Sequence, residues 1–283
     1  MSILVIGKTG QVARELALLP DVICIGRDEA DLTVPEQCSA AIHAYGPSAV
    51  INAAAYTAVD RAEDEEALAN LINGDAPGVM ARDCAALSIP FVHISTDYVF
   101  EGGGRAAWSP DGTTGPLGAY GRSKLRGEQL VNGVGAAFAI LRTSWVVSAH
   151  GNNFVKTMLR LGAEHDSLNV VADQIGGPTP ARDIAVACHA IALQLIKAPE
   201  KSGAYHFSGQ PDCSWADFAR AIFDEAGLVC GVTDIPSSDY PTPAVRPLNS
   251  RMDCTKTERT FGIARPDWRS GLADILKDLG ATT

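Results

Sequence analysis

Ser2-Ile-Leu-Val-Ile-Gly7-Lys-Thr-Gly10-Gln-Val-Ala13 opens with an unbroken apolar run, then two glycines three residues apart, then a small residue three further on. The run Ile3 to Ile6 is short and mostly β-branched. That is the pattern of a parallel strand covered on both faces, which loses the alternation of a half-exposed one. Gly7 permits a tight turn, Gly10 lets backbone approach a pyrophosphate, and Ala13 lets the next helix pack closely on the strand. A helix from Gln11 to about Leu19 would turn unpaired amides and the positive end of its dipole toward phosphate. Gly-x-x-Gly-x-x-Ala is looser than the Gly-x-Gly-x-x-Gly fingerprint, and an ordinary β–α turn is the plain alternative. The placement between a clean strand and a clean helix favours a dinucleotide site.

Outward from this unit the same alternation repeats. Val22 to Ile25 forms a second strand ending in Gly26-Arg27-Asp28, where a dinucleotide fold reads the adenosine ribose. Arg27 suits a 2′-phosphate and favours NADPH over NADH, although Asp28 argues for a 2′-hydroxyl. A helix follows over Pro35 to Tyr45, then a third strand within Ala49 to Ala55. Two helices between Asp60 and Leu87 are expected to break near Gly74 and Pro77. Phe91 to Thr96 is a fourth strand, Tyr120 to about Val131 a helix, and Ala137 to Leu141 a fifth strand. Such βαβα order predicts an α/β fold, a Rossmann-type doubly wound parallel sheet. Beyond Trp145 the pattern loosens and Pro and Gly cluster. Residues 1–150 are therefore expected to be a dinucleotide-binding domain, and 151–283 a smaller, partly interleaved substrate lobe.

Composition excludes several classes. Of 283 residues, 46% are hydrophobic, enough for a full core, and the formal charge of −10 disfavours nucleic acid and anionic membranes as partners. No run reaches the ~18 apolar residues of a membrane span. The seven cysteines are scattered without a Cys-x-x-Cys pair. They read as small buried residues of a cytoplasmic protein, not as disulfides or metal ligands.

Tyr120-Gly-Arg-Ser-Lys124 places a phenol and an ammonium one helical turn apart on the same face. A nearby cation favours the phenolate, so Tyr120 could exchange a proton at neutral pH. Alone, such a pair is usually a solvated helix face. Here Asn52 and Thr57, Ser95-Thr96-Asp97 and Arg142-Thr-Ser-Trp145 all follow strands, where doubly wound sheets bind ligands. Together they suggest reduction of a carbonyl by a nicotinamide. Tyr120 would supply the proton, Thr96 would hold the oxygen, and Lys124 would bind the nicotinamide ribose.

These residues resemble the extended short-chain dehydrogenase/reductase superfamily and, within it, the dTDP-4-dehydrorhamnose reductases. The narrow matches are Ser95-Thr-Asp-Tyr-Val-Phe100, Arg142-Thr-Ser-Trp145, Gly151-Asn-Asn153-Phe154 and the run from Tyr240-Pro-Thr-Pro through Arg246 to Arg251. The resemblance implies NAD(P)H-dependent reduction of a 4-keto sugar nucleotide, with Thr96, Tyr120 and Lys124 at the catalytic positions. It puts Gly10, Gln11 and Val12 along the pyrophosphate, Asp31 and Leu32 beside the adenine, and Ala53, Ala54, Ala55 and Thr57 on the path to the nicotinamide. Thr96, Asp97, Trp145 and Asn153 fall at substrate positions, and Arg246 and Arg251 are candidates for a diphosphate clamp. Some members form dimers bridged by Mg²⁺. Glu15 matches one ligand position, but Arg182 stands where a second acid is expected. No metal is therefore expected, and the chain is read as a monomer or weak homodimer. Another sugar-nucleotide 4-ketoreductase, an epimerase, or a nonenzymatic regulatory subunit of the same fold are the alternatives.

Overall fold

The computed structural model describes residues 2–281. Strand β1 (Ile3–Ile6) lies between β2 (Val22–Ile25) and β3 (Ala49–Asn52), and β4 (Phe91–Thr96) and β5 (Phe138–Thr143) continue the sheet beyond β3. The strand Gly203–His206 pairs with β5 as the far edge, so all six strands run parallel. Every residue of β1, β3 and β5 is buried, as expected of strands covered on both faces. The chain leaves β1 toward β2 on one side and later crosses to β3 on the other. The carboxyl ends of β1 and β3 thus flank a topological switch point, where such sheets open a crevice.

Helices cover both faces. The helices Pro35–Tyr45, Ala76–Ala86 and Ala119–Asn132 lie on one side, with a core that includes Leu4, Ile6, Val50, Phe91 and Ile140. The short helix α1 (Gln11–Leu16) and the long helix Ala181–Lys197 cover the other, around Ile3, Val5, Ile51 and Leu141. Residues beyond 150 therefore contribute a helix and an edge strand to the first sheet. The rest forms a separate core around the helices Phe154–Glu164, Trp215–Ala226 and Trp268–Asp278, with Phe218, Ile222 and Trp268 at its centre. No helix among the described residues is long and apolar enough to cross a membrane.

Three local features differ from the sequence reading. The first helix ends at Leu16, and residues 17–21 form a turn into β2. The two helices expected on either side of Gly74 and Pro77 are present as Glu66–Asn70 and Ala76–Ala86, but a π-helical turn (Leu71–Asp75) that holds Gly74 joins them without a gap. Pro77 lies in the first turn of the second, where its missing N–H has no helical partner to lose. Cys24, Cys213 and Cys230 are only half-buried, and all seven cysteines are free thiols.

Candidate active site

A cavity of about 940 Å³ runs along the carboxyl edge of the sheet. Gly7 to Val12, Arg27, Asp28 and Ala30 to Thr33 line one end, and Thr96, Asp97, Tyr120, Lys124 and Trp145 line the other, with Ala53 to Ala55 and Thr57 between them. Gly7 adopts φ +132°, and a Cβ there would stand 3.1 Å from the Ala53 carbonyl carbon and 3.2 Å from the Ala54 nitrogen. A side chain at this position would be strained and crowded against the turn after β3, so only glycine keeps that end of the crevice open. Arg27 bonds Asp31 at 2.9 Å with most of its side chain in solvent, free to turn toward a phosphate. The glycine turn, the open backbone and the exposed cation all fit a dinucleotide.

The helix Ala119–Asn132 carries Tyr120, Lys124 and Glu128 at successive i, i+4 positions, a stripe that faces β4 and β5. Its first turn is tied to the loop after β3 by Asn73. That side chain accepts from the Tyr56 amide at 2.8 Å and donates to the Tyr56 carbonyl and to Ser123 Oγ, both at 3.0 Å. At the stripe's lower end Glu128 accepts two hydrogen bonds from Arg142, at 2.9 and 2.7 Å, and one from Ser95 at 2.5 Å. Ser95 and Arg142 immediately precede Thr96 and Thr143, which are register partners at the ends of β4 and β5. Thr143 lines the cavity, and its Oγ1 is buried without a hydrogen-bond partner.

Lys124 is 2% exposed, and its Nζ donates to the Ile94 carbonyl at 2.6 Å and lies 3.4 Å from His93 Nε2. Asn52, the register partner of His93, accepts the Ala54 amide on Oδ1 and places Nδ2 3.2 Å from His93 Nδ1. With the amide oxygen committed, Nδ1 must accept, so the neutral imidazole carries its proton on Nε2, facing Lys124. Burial holds His93 neutral, well below the ordinary imidazole range. Burial also lowers the Lys124 pKa to about 8, against the opposing pull of Glu128.

The phenol behaves differently from the sequence expectation. Burial pushes the Tyr120 pKa up to about 12, with Asp97 adding to the rise and the neighbouring Thr96 hydroxyl opposing it. Lys124 is turned toward Ile94 and His93, so the enclosing protein outweighs the cation and keeps Tyr120 protonated. Thr96 donates to Asp97 Oδ1 at 3.1 Å and accepts from the Tyr98 amide at 3.2 Å. Burial raises the Asp97 pKa to about 6.

Three expected substrate residues do not reach the cavity wall. Arg246 is paired with Asp60 at 2.7 Å, and Arg251 bonds Asn249 Oδ1 at 3.0 Å. Asn153 caps the helix Phe154–Glu164 and donates to Gln11 Oε1 at 3.0 Å. The sequence reading left out His93 and Asn73, and it named Thr143 only within the stretch Arg142 to Trp145, without a role. The one available signal was a lone histidine inside the apolar strand Phe91-Val-His-Ile94.

The family model of the RmlD substrate binding domain matches residues 1–281. A dTDP-4-dehydrorhamnose reductase of Sinorhizobium fredii is 44% identical over 278 residues, covering 95% of this chain and 94% of the relative. The crystal structure of a dTDP-4-dehydrorhamnose reductase from Clostridium acetobutylicum superposes with a TM-score of 0.91 at 35% identity, covering 99% and 100% of the two chains. Another from Bacillus anthracis, in complex with NADP, gives 0.90 at 34% identity, covering 98% and 100%. On this similarity from end to end, the chain belongs to the RmlD substrate binding domain family, that of the dTDP-4-dehydrorhamnose reductases.

Proposed function

We propose that this chain reduces the 4-keto group of dTDP-4-dehydro-β-L-rhamnose to dTDP-β-L-rhamnose, with NADPH as the preferred reductant and Tyr120 as the proton donor. The observation that carries this reading is one cavity with the Gly7–Val12 turn at one end and Thr96, Tyr120 and Lys124 at the other. The names of the relatives supply the sugar nucleotide. A nicotinamide held by the Gly7–Val12 turn, Arg27 and Lys124 would supply the hydride for the carbonyl carbon and be left oxidised. Tyr120, held neutral by its surroundings, gives its phenolic proton to the oxygen as charge develops there, forming the O–H bond. Thr96 can turn its hydroxyl from Asp97 to that oxygen, and Asp97 then accepts a sugar hydroxyl. Lys124 orients the ribose and stabilises the phenolate left after transfer. Arg27 reads the 2′-phosphate. Arg246 retains a buried Nη1 without a partner, and we assign it, with Arg251, to the substrate diphosphate, which requires the two side chains to turn from Asp60 and Asn249 toward the cavity.

The surroundings of Glu15 do not fit a divalent cation. Arg182 lies 3.4 Å from Glu15, 3.6 Å from Asp274 and 3.0 Å from Asp278, so a guanidinium already neutralises these carboxylates. The chain is accordingly read as a monomer or weak homodimer without a metal bridge.

The test is NADPH oxidation by the purified chain given dTDP-4-dehydro-β-L-rhamnose, with the product identified by NMR. Formation of dTDP-L-rhamnose supports the reading. A different 6-deoxyhexose moves the substrate assignment, and tightly copurifying NAD with no net oxidation points to an epimerase. Cofactor binding without turnover of any sugar nucleotide would support a regulatory subunit.

A further inference from the structure

Trp145 is the one large aromatic residue on the cavity wall whose backbone lies in the left-handed region, at φ +50°. A bulky side chain pays for that conformation with strain, so its surroundings must hold it there. One indole face stacks on Trp215, with ring centroids 3.5 Å apart and planes 10° from parallel. So direct an overlap is less favoured than an offset or edge-on pair, which means that the flanks impose it. Phe154 packs on Trp215 at 4.5 Å, and Trp215 Nε1 donates to Gln174 Oε1 at 3.2 Å. Gln174 in turn donates to Ser237 Oγ at 3.0 Å. Gly176 also gives the indole room: a Cβ there would approach Trp145 Cε2 to 2.9 Å. Trp215 itself does not line the cavity.

We infer that Trp215 is a positioning residue for sugar specificity: stacked beneath Trp145, it fixes the indole wall against which the sugar ring of the substrate lies. This rests on the sugar-nucleotide reading above. A fixed indole offers a flat apolar face to the C–H side of a deoxyhexose and leaves its hydroxyls and carbonyl to Thr96, Asp97 and Tyr120. The wall belongs to the C-terminal lobe, through Gln174 and Ser237, whereas the cofactor end belongs to the first sheet. Loosening Trp215 therefore acts on the sugar and not on the dinucleotide.

The experiment compares the full-length wild type with Trp215→Ala, Trp215→Phe and Gly176→Ala. It measures KM for dTDP-4-dehydro-β-L-rhamnose, kcat, the Kd of NADPH and near-ultraviolet circular dichroism. Stacked indoles give a coupled signal, which Trp215→Ala abolishes. The expected result is a KM raised tenfold or more in Trp215→Ala, a smaller change in kcat, and NADPH affinity within twofold of wild type. Trp215→Phe restores KM to within about threefold, and Gly176→Ala, which pushes on the indole at Cε2, raises it. An unchanged KM in Trp215→Ala, or equal losses in NADPH and sugar-nucleotide binding, overturns the inference. If Trp215→Ala does not fold, an unchanged KM in Gly176→Ala overturns it instead. A wild type that neither binds nor turns over the sugar nucleotide refutes this inference together with the functional reading. An active wild type with an indifferent Trp215→Ala refutes the inference alone.

Discussion

Replacing Glu128 by Gln strikes at the point where the helix bearing Tyr120 and Lys124 is fastened to β4 and β5. Glu128 and Arg142 are 4% and 5% exposed, and the carboxylate accepts both Arg142 bonds and the Ser95 hydroxyl. A glutamine of the same shape keeps the volume but leaves the guanidinium without its counter-charge and turns an amide N–H₂ toward a donor. Removing one member of a buried pair costs about 3–5 kcal/mol, chiefly from the charge left behind. In a chain of this size each kcal/mol lowers Tm by about 2–4 °C, so a fall of roughly 6–20 °C is expected. The double variant Glu128→Leu with Arg142→Met removes both charges and should be markedly less destabilised than the sum of its singles. Urea titration of Glu128→Gln, Glu128→Leu, Arg142→Met, the double variant and wild type, followed by circular dichroism, gives the single loss and the coupling energy. A Glu128→Gln chain within ~1 kcal/mol of wild type, or strict additivity in the double variant, would refute the claim that this ion pair fastens the catalytic helix.

Other consequences follow from the same geometry. Because burial lowers the Lys124 pKa from 10.5 to about 8, the unfolded chain binds more proton between those values, and stability rises with pH across that window. Lys124→Met should therefore abolish turnover yet stabilise the fold at pH 7 by up to about 3 kcal/mol, with the gain fading as pH approaches 10.5. Thermal unfolding across that pH range checks it, and a destabilised variant at pH 7 contradicts it. Asp97 carries the opposite charge and the same penalty. Its pKa rises from 3.8 to about 6, so the penalty is full above 6 and absent below 3.8. Asp97→Asn should stabilise at pH 7.5, lose that advantage in acid and raise KM for the sugar nucleotide. Arg27→Ala should weaken NADPH binding by roughly tenfold or more and leave NADH binding unchanged, since it removes a charge-assisted contact worth about 1.5–3 kcal/mol. Equal losses for the two dinucleotides, read by fluorescence titration, would remove Arg27 from the 2′-phosphate.

Five of the six strands of the first sheet were legible because buried parallel strands are short apolar runs, and Gly7, Gly10 and Ala13 mark the first turn within thirteen residues; the edge strand Gly203–His206 was not. The Tyr120–Lys124 pair was legible because helical spacing is local. What escaped the sequence is set by register and by long-range pairing. Asn52 meets His93 only because β3 and β4 pair with those residues opposite, and Thr143 stands beside Thr96 for the same reason in β5. The direction of the Tyr120 shift was misread because it depends on enclosure and on where Lys124 points, and neither is encoded in a four-residue spacing. Arg246 was a candidate for the diphosphate clamp, but its partner was not legible: Asp60, 186 residues away in sequence, takes one end of its guanidinium. Trp215 carried no motif at all. Its part emerges only when the lobe folds back and lays it on Trp145.

The central claim is that Tyr120 gives the proton while the rest of the cavity holds its ligands, and Tyr120→Phe tests it most directly. The measurement is kcat for NADPH-dependent reduction of dTDP-4-dehydro-β-L-rhamnose, alongside the NADPH Kd, in wild type and variant. Loss of one phenolic oxygen should lower kcat by ~10²-fold or more with NADPH affinity unchanged. A variant that turns over at near wild-type rate would contradict the account, and the proton would have to come from another group in the cavity.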